Sequence, residues 1–291
     1  MRITGRTKLA GIMGWPVSHS RSPALHNFWI DEHGIDGAYV PLAVRPEHLA
    51  QALRALPTLG FRGCNLTLPH KPAALAIVDK VEPLARRIGA INTIIVAPDG
   101  SLEGRNTDAF GFRENLRDRA PEWKASAGPA VVLGAGGGAR GVIAALIEAR
   151  AEEIRIVNRT LARAERLASD LASPATRITV QPWNERDAAL RNAGLLVNTT
   201  SLGMSGEAQL EIDLEQLPPS AVVVDIVYVP LETPLLAAAR QRGNRTVDGL
   251  GMLLHQGRPG FEAWFGSPVQ VTRELRAAVL TTFGAAAGAV R

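Results

Sequence analysis

The sequence predicts an α/β protein: an N-terminal α/β domain, then a Rossmann-type doubly wound nucleotide domain. Three observations predict this class. Ala130-Val131-Val132-Leu133 is a short apolar run bounded by Pro129 and Gly134, the pattern of a buried strand. Gly134, Gly136 and Ala139 then fill the small positions of a G-x-G-x-x-G/A turn, and the apolar run 142–147 after it reads as a helix. A second apolar strand at 154–157 follows at the distance a βαβ unit requires, and strands alternate with helices through the first third of the chain.

The elements are expected in this order. A strand at 9–13 is closed by Gly14-Trp15-Pro16, and a loop follows in which Ser22 reads as an N-cap and Pro23 as the first helical residue. Leu25, Phe28 and Trp29 line one face of that helix, which ends near Gly34. Next come a strand at 39–42, a helix at 46–56, a strand at 63–67 stopped by Pro69, and a helix beginning at Lys71. A strand at 90–96 is turned by Pro98-Asp99-Gly100, and a helix runs from Thr107 through Leu116. The segment 121–129 shows no periodicity and leads into the glycine turn. After it the pattern gives helix 160–171, strand 178–180, helix 184–191, strands 195–198 and 222–226, and helix 234–242. Helices at 249–264 and 268–283 close the chain, ahead of an alanine-rich end.

With 291 residues, 46% hydrophobic and 21% charged, the chain has enough apolar material for a full core. The formal net charge of +4 comes from scattered arginines, with no basic block or helix-turn-helix pattern, so nucleic acid is excluded as a partner. A single Cys64 excludes an intramolecular disulfide, offers no metal-ligand cluster and fits a reducing cytoplasm. The apolar piece after Arg2, Arg6 and Lys8 stops at Pro16, too short for a signal peptide, and no run reaches the length of a membrane span. The expectation is a cytoplasmic protein with no metal and no membrane partner, monomeric or homodimeric.

The glycine turn, Gly134-Ala135-Gly136-Gly137-Gly138, suits a dinucleotide. Its first glycine permits the tight bend, its second lets backbone approach a pyrophosphate, and the helix N-terminus behind it favours negative charge. The end of the next strand selects the nucleotide. An NAD site places a carboxylate there, whereas this chain has Asn158, Arg159 and Thr160, with Arg163 one turn on. Two guanidiniums match a 2′-phosphate, so NADP is the expected cofactor. The nucleotide half carries no obvious acid–base group. The first third offers Ser20 and Ser22, then Asn65, Thr67 and Lys71, then Asn106-Thr107-Asp108, all on short loops or turns after strands. Taken singly, each also has a plain structural reading as a cap or a surface lysine.

Together these segments are similar to a known family. Residues 14–23, 65–71, 89–93, 106–112, 158–163 and 248–256 resemble shikimate dehydrogenases, in order from 11 to about 264. The most specific pieces are Ser-His-Ser-Arg-Ser-Pro, Asn-Leu-Thr-Leu-Pro-His-Lys, Gly-Ala-Ile-Asn-Thr and Asp-Gly-Leu-Gly-Met-Leu. The resemblance implies reversible reduction of 3-dehydroshikimate to shikimate with NADPH, on the route to chorismate and the aromatic amino acids. It implies that Ser20 and Ser22 hold the substrate carboxylate, and that Thr67, Asn92, Asp108 and Gln256 bind ring hydroxyls. Asn65 and Tyr228 would line the pocket. Lys71 would be the proton donor and acceptor, oriented by Asp108. Gly134 to Gly138 would hold the pyrophosphate, Asn158, Arg159, Thr160 and Arg163 the 2′-phosphate, and Ile226 and Gly249 would lie near the nicotinamide. It also implies a substrate domain of 1–107 with 248–291 packing back onto it, and a nucleotide domain of 108–247. Ala109 and His70 depart from the residues more often found beside these motifs, without touching a reacting group. Two alternatives stay open: a quinate/shikimate dehydrogenase with relaxed cofactor use, which an acidic residue at 158 or 159 would favour, and a non-catalytic nucleotide-binding regulator, which should lack Lys71 or Asp108.

Overall fold

The computed structural model describes residues 3–285. Met1, Arg2 and the alanine-rich end, with the last part of the expected 248–291 return, lie outside the described residues. The chain forms two compact units, one of residues 1–107 with those from 256 onward, the other of residues 108–255.

The first unit opens with β1 (Lys8–Gly14), α1 (Ser22–Glu32), β2 (Gly37–Ala43) and α2 (Leu49–Ala55). It continues through β3 (Phe61–Leu66), β4 (Lys80–Val81), α3 (Pro83–Ile88), β5 (Thr93–Val96) and β6 (Leu102–Arg105). Its sheet has the order β2-β1-β3-β5-β6-β4. β1 runs parallel to β2 and β3, while β5 is antiparallel to β3 and β6. The parallel part behaves as sequence alternation predicts, with crossover helices burying strand faces. Met13, Leu49, Leu53, Leu56, Leu66 and Ile94 form one core cluster of this unit.

Several expectations change here. Ser22 is the first helical residue and Arg21 holds the N-cap position, because Ser20 Oγ accepts the Ser22 N–H at 3.3 Å and does the capping instead. The expected helix 46–56 is a 3-10 turn at 46–48 followed by α2. Lys71 starts no α-helix, and only a 3-10 turn forms at 73–76. Pro69 and Pro72 supply no N–H, and the Lys71 carbonyl accepts from Ile91 N–H at 2.8 Å across the unit. β4, α3 and β6 escaped the sequence reading, β4 being only two residues long.

The second unit is α4 (Asp108–Arg119), β7 (Ala130–Leu133), α5 (Gly137–Glu148), β8 (Glu153–Asn158), α6 (Leu161–Asp170) and β9 (Arg177–Pro182). Then follow β10 (Leu195–Asn198), β11 (Val222–Asp225), α7 (Pro234–Gln241) and β12 (Arg245–Val247). The pairings are all parallel in the order β12-β11-β10-β7-β8-β9, so the winding reverses between β7 and β10. That is the doubly wound topology expected, and the crevice where winding reverses is where such sheets take ligands. β7, β10 and β11 are buried throughout, as strands covered on both faces must be. Residues 184–191 form two 3-10 turns within 183–190 rather than one helix, and β12 was not foreseen.

Two helices close the described chain, α8 (Leu250–Phe265) and α9 (Arg273–Ala285). The sequence set the return to the first domain at 248, whereas residues 248–255 group with the second unit. Asn115 explains this: its Nδ2 donates to Asp248 O at 2.8 Å, and a Cβ on Gly251 would meet its Oδ1 at 1.8 Å. From Gln256 on the chain packs within the first unit. α9 lies on α1, Trp29 Nε1 donates to Gln270 O at 2.9 Å, and Trp264 Nε1 donates to Ile94 O at 2.9 Å. Gly63 makes the last contact possible. With φ at +150°, its Cβ would lie 2.1 Å from Ile94 O and 2.3 Å from Trp264 Nε1.

Candidate active site

In the first unit, buried polar side chains gather where β3 ends and β5 begins. Buried amides need partners, and their hydrogen bonds can be accounted for atom by atom. Asn65 Nδ2 donates to Asn92 O and to Thr93 Oγ1, both at 3.1 Å, while Asn65 Oδ1 accepts from Tyr39 OH at 2.7 Å. Both Asn65 N–H groups are thereby used. Asn92 Oδ1 accepts from Thr107 N–H at 2.8 Å and from Thr93 Oγ1 at 3.0 Å, which turns the amide nitrogen of Asn92 toward Gln256 Oε1 at 3.3 Å. The Thr107 hydroxyl lies 3.2 Å from Asn92 Oδ1 and 3.4 Å from Gln256 Oε1. These bonds fix the orientation of the Asn65, Asn92 and Gln256 amides.

Behind it, His26 is fully buried and stacks on Tyr39 at 4.1 Å between ring centroids. Burial pushes its imidazole down to about 3, so the ring is neutral at physiological pH. Burial likewise holds the Tyr39 phenol well above its ordinary value, which keeps its proton available to Asn65. Asn27 clamps Tyr39 from α1, donating to its carbonyl at 2.9 Å and accepting its N–H at 3.0 Å.

The other expected substrate residues of this unit lie at the start of α1 and on the segment after β3. Ser20 is half-buried and Ser22 buried at the start of α1. Thr67 follows β3, its N–H donating to Met13 O at 3.0 Å and its carbonyl accepting from His70 N–H at 2.9 Å. Gly14 permits this closeness, since a Cβ there would meet Thr67 Cγ2 at 2.4 Å. Lys71 is half-buried, and its backbone is tied to Ile91, the residue before Asn92. Asp108 heads α4 in the second unit, 9% exposed and directly after Thr107. Gly141 lets α5 approach it, a Cβ there meeting Asp108 Cβ at 2.9 Å.

In the second unit the glycine turn fits a dinucleotide. Gly134 has φ at +105°, and its Cβ would stand 2.8 Å from Thr199 Oγ1, so only glycine passes between β7 and β10 there. Thr199 Oγ1 donates to Leu133 O at 2.6 Å. Ala135 is half-buried, and Gly136 occupies the N-cap of α5. Gly136 and Gly137 are exposed, with nothing within 4 Å of their Cβ positions, leaving room for a pyrophosphate over the α5 amides. Ala139 is fully buried against the sheet. A Cβ on Gly138 would lie 2.5 Å from Ile226 Cδ1, and one on Gly249 would lie 2.3 Å from Ile226 O. Ile226 and Gly249 therefore wall one side of the turn, with Tyr228 half-buried two residues on. After β8, Asn158 Nδ2 donates to Thr160 O at 2.8 Å, and Arg159, Thr160 and Arg163 are exposed at the start of α6. These exposed guanidiniums lie one strand over from the glycine turn, and their planar donor forks are of the kind that could hold a phosphate.

Sequence reasoning missed Tyr39 and Thr93 in the first unit, and Asn198, Thr199, Thr200 and Asp225 in the second. The last four had a signal: a polar run and a lone carboxylate directly after the apolar strands that flank the winding reversal. Thr93 ends the Gly-Ala-Ile-Asn-Thr block, whereas Tyr39 had none, being a strand residue like any other.

The comparisons agree with this geometry. A family model described as the shikimate dehydrogenase substrate binding domain matches residues 12–94, and one described as shikimate / quinate 5-dehydrogenase matches residues 118–230. The NADP(+) shikimate dehydrogenase of Rhodospirillum rubrum is 62% identical over 280 residues, covering 96% of this chain and 99% of that protein. A crystal structure of shikimate 5-dehydrogenase from Thermus thermophilus, in complex with NADP(H) and shikimate, aligns with a TM-score of 0.83 at 38% identity, covering 94% of this chain and 99% of that one. The quinate dehydrogenase of Corynebacterium glutamicum in complex with NAD aligns with a TM-score of 0.88 at 30% identity, covering 94% and 99%. With one relative 62% identical along 96% of this chain and 99% of its own length, and two family models of that name matched along the sequence, the chain belongs to the shikimate dehydrogenase family.

Proposed function

We propose that the chain catalyses the reversible, NADPH-dependent reduction of 3-dehydroshikimate to shikimate, in the cytoplasm, where a lone buried Cys64 is at home. The observation that carries this is the 62% identity to an NADP(+) shikimate dehydrogenase along 96% of the chain; the site geometry supports the residue roles. When bound at the glycine turn, the reduced dinucleotide supplies hydride to the ketone carbon. Lys71 donates a proton from Nζ to the ketone oxygen, and its positive charge stabilises the oxygen as negative charge develops. In the oxidation direction the same nitrogen takes the proton back. Asp108 orients the ammonium and accepts a hydrogen bond from a substrate hydroxyl.

Ser20 and Ser22 donate to the substrate carboxylate at the N-terminus of α1, which also favours an anion. The Asn92 amide, aimed by Thr107 and Thr93, binds a ring hydroxyl together with Gln256 and Thr67, while Asn65 and Tyr228 line the pocket. Gly134, Ala135, Gly136, Gly137 and Gly138 take the pyrophosphate. Arg159 and Arg163, with Asn158 and Thr160, take the 2′-phosphate, and Ile226 and Gly249 lie near the nicotinamide. The likeness to a quinate dehydrogenase seen with NAD makes that reaction the second reading, yet the end of β8 carries Asn158-Arg159 in place of a carboxylate. Initial rates at the reduced-nicotinamide absorbance band, with shikimate or quinate and with NADP or NAD, test both. Shikimate with NADP should turn over fastest. Failure of all four pairs sinks the enzyme reading.

A further inference from the structure

Asp225 ends β11 after three consecutive valines and is fully buried, yet none of the roles above uses it. Its carboxylate is held by three donors from three places. Oδ2 accepts from Thr233 Oγ1 at 2.7 Å, and Oδ1 accepts from Val227 N–H and from Asn198 Nδ2, both at 3.0 Å. Thr233 is the N-cap of α7, accepting from Leu236 N–H at 3.4 Å. Asn198 ends β10 and closes the neighbouring loop, its Nδ2 donating also to Leu202 O at 3.1 Å. Its Oδ1 accepts from Thr200 N–H at 3.0 Å and Thr200 Oγ1 at 2.7 Å. One carboxylate therefore ties the ends of β10 and β11 to the start of α7.

What those strand ends carry gives the tie a purpose. Thr199, next to Asn198, abuts Gly134. Ile226, between Asp225 and the bonded Val227, donates its N–H to Asn198 O at 3.1 Å and presents Cδ1 to Gly138. A buried carboxylate is costly unless fully partnered, and burial here pushes the Asp225 carboxyl up to about 6, against the hydrogen bonds from Thr233, Val227 and Asn198. An apolar residue would complete the run of valines without that cost, but would leave both loop ends unanchored.

We infer that Asp225, through Asn198 and Thr233, positions Thr199 and Ile226 as the side wall of the dinucleotide site, and is thus a positioning residue for cofactor binding. The inference rests on the NADP reading above. Its test is the dissociation constant for NADPH, read by fluorescence titration of the full chain without substrate. Wild type is set beside Asp225→Ala, Asp225→Asn and Thr233→Val, with circular dichroism and the KM for shikimate as controls. Losing the buried acceptor should weaken NADPH binding about tenfold or more in Asp225→Ala and by roughly threefold or more in Thr233→Val. Asp225→Asn should recover most of the affinity, because its Oδ1 keeps two bonds and the Thr233 hydroxyl accepts from its Nδ2. The KM for shikimate should stay near the wild-type value throughout.

A folded Asp225→Ala that binds NADPH like wild type overturns the proposal. So does a parallel rise in the KM for shikimate, which would mark general loosening. If Asp225→Ala does not fold, Thr233→Val decides, and an unchanged affinity there overturns it as well. A wild type that fails to bind NADPH removes the cofactor reading itself, an outcome distinct from variants that match a binding wild type.

Discussion

Replacing Lys71 by Ala should lower turnover by about 10²–10⁴-fold, the range for a positioned acid–base group, while the dissociation constant for NADPH stays near wild type. The KM for shikimate should move less, since carboxylate binding is assigned to Ser20 and Ser22. Adding Asp108→Asn should cost clearly less than the product of the single effects, because the two act as one unit. Near-normal turnover in Lys71→Ala would make it a binding residue. At the β8 end, replacing Arg159 and Arg163 with uncharged residues should raise the KM for NADP and spare NAD, by roughly 1.5–3 kcal/mol per charged hydrogen bond lost. Equal losses with both cofactors would give the arginines a folding role. These residues were legible because their signals are local: the glycine spacing, the Asn-Arg-Thr after a strand, the serines before a helix. The amide cluster was not, since it depends on bonds across long gaps, 15 residues from Asn92 to Thr107 and 164 from Asn92 to Gln256. No window of sequence displays them.

Among the elements, β11 carries the pH prediction. The Asp225 carboxyl lies at about 6 in the fold, against an ordinary 3.8. A raised value means the fold prefers the protonated form. The stability it contributes is complete below about 4 and is lost as pH rises through about 6, a change of about 3 kcal/mol. Urea unfolding of wild type and Asp225→Asn at pH 4 to 7 should show the variant gaining on wild type up to about pH 6 and then running level. A constant difference across that range would show that the carboxyl does not titrate there. Apolar runs such as those of β7, β10 and α5 were readable from pattern alone. The two-residue β4 and three-residue β12 carry too few positions for any period to show. The helix expected at Lys71 failed through its two flanking prolines and a carbonyl already engaged with Ile91.

At the scale of the whole molecule, the second unit is one continuous stretch, whereas the first is assembled from both sides of it. Ending the chain at 267 removes α9 and the Gln270 carbonyl from Trp29. This truncation should abolish shikimate turnover and lower the thermal midpoint of the first unit, while NADPH binding by residues 108–255 persists. Loss of NADPH binding along with turnover would contradict the assignment of NADPH binding to the second unit. Asn115 reaches Asp248 across 133 residues of sequence, a hold invisible until α4 is placed. The same division orders events on the ribosome. Trp29 emerges 241 residues before the carbonyl that receives its indole N–H, so the first strands leave the exit tunnel with an uncovered apolar face. All the strands of the second unit are synthesised before that cover arrives. The second unit is thus complete in the nascent chain before the first receives its last helices.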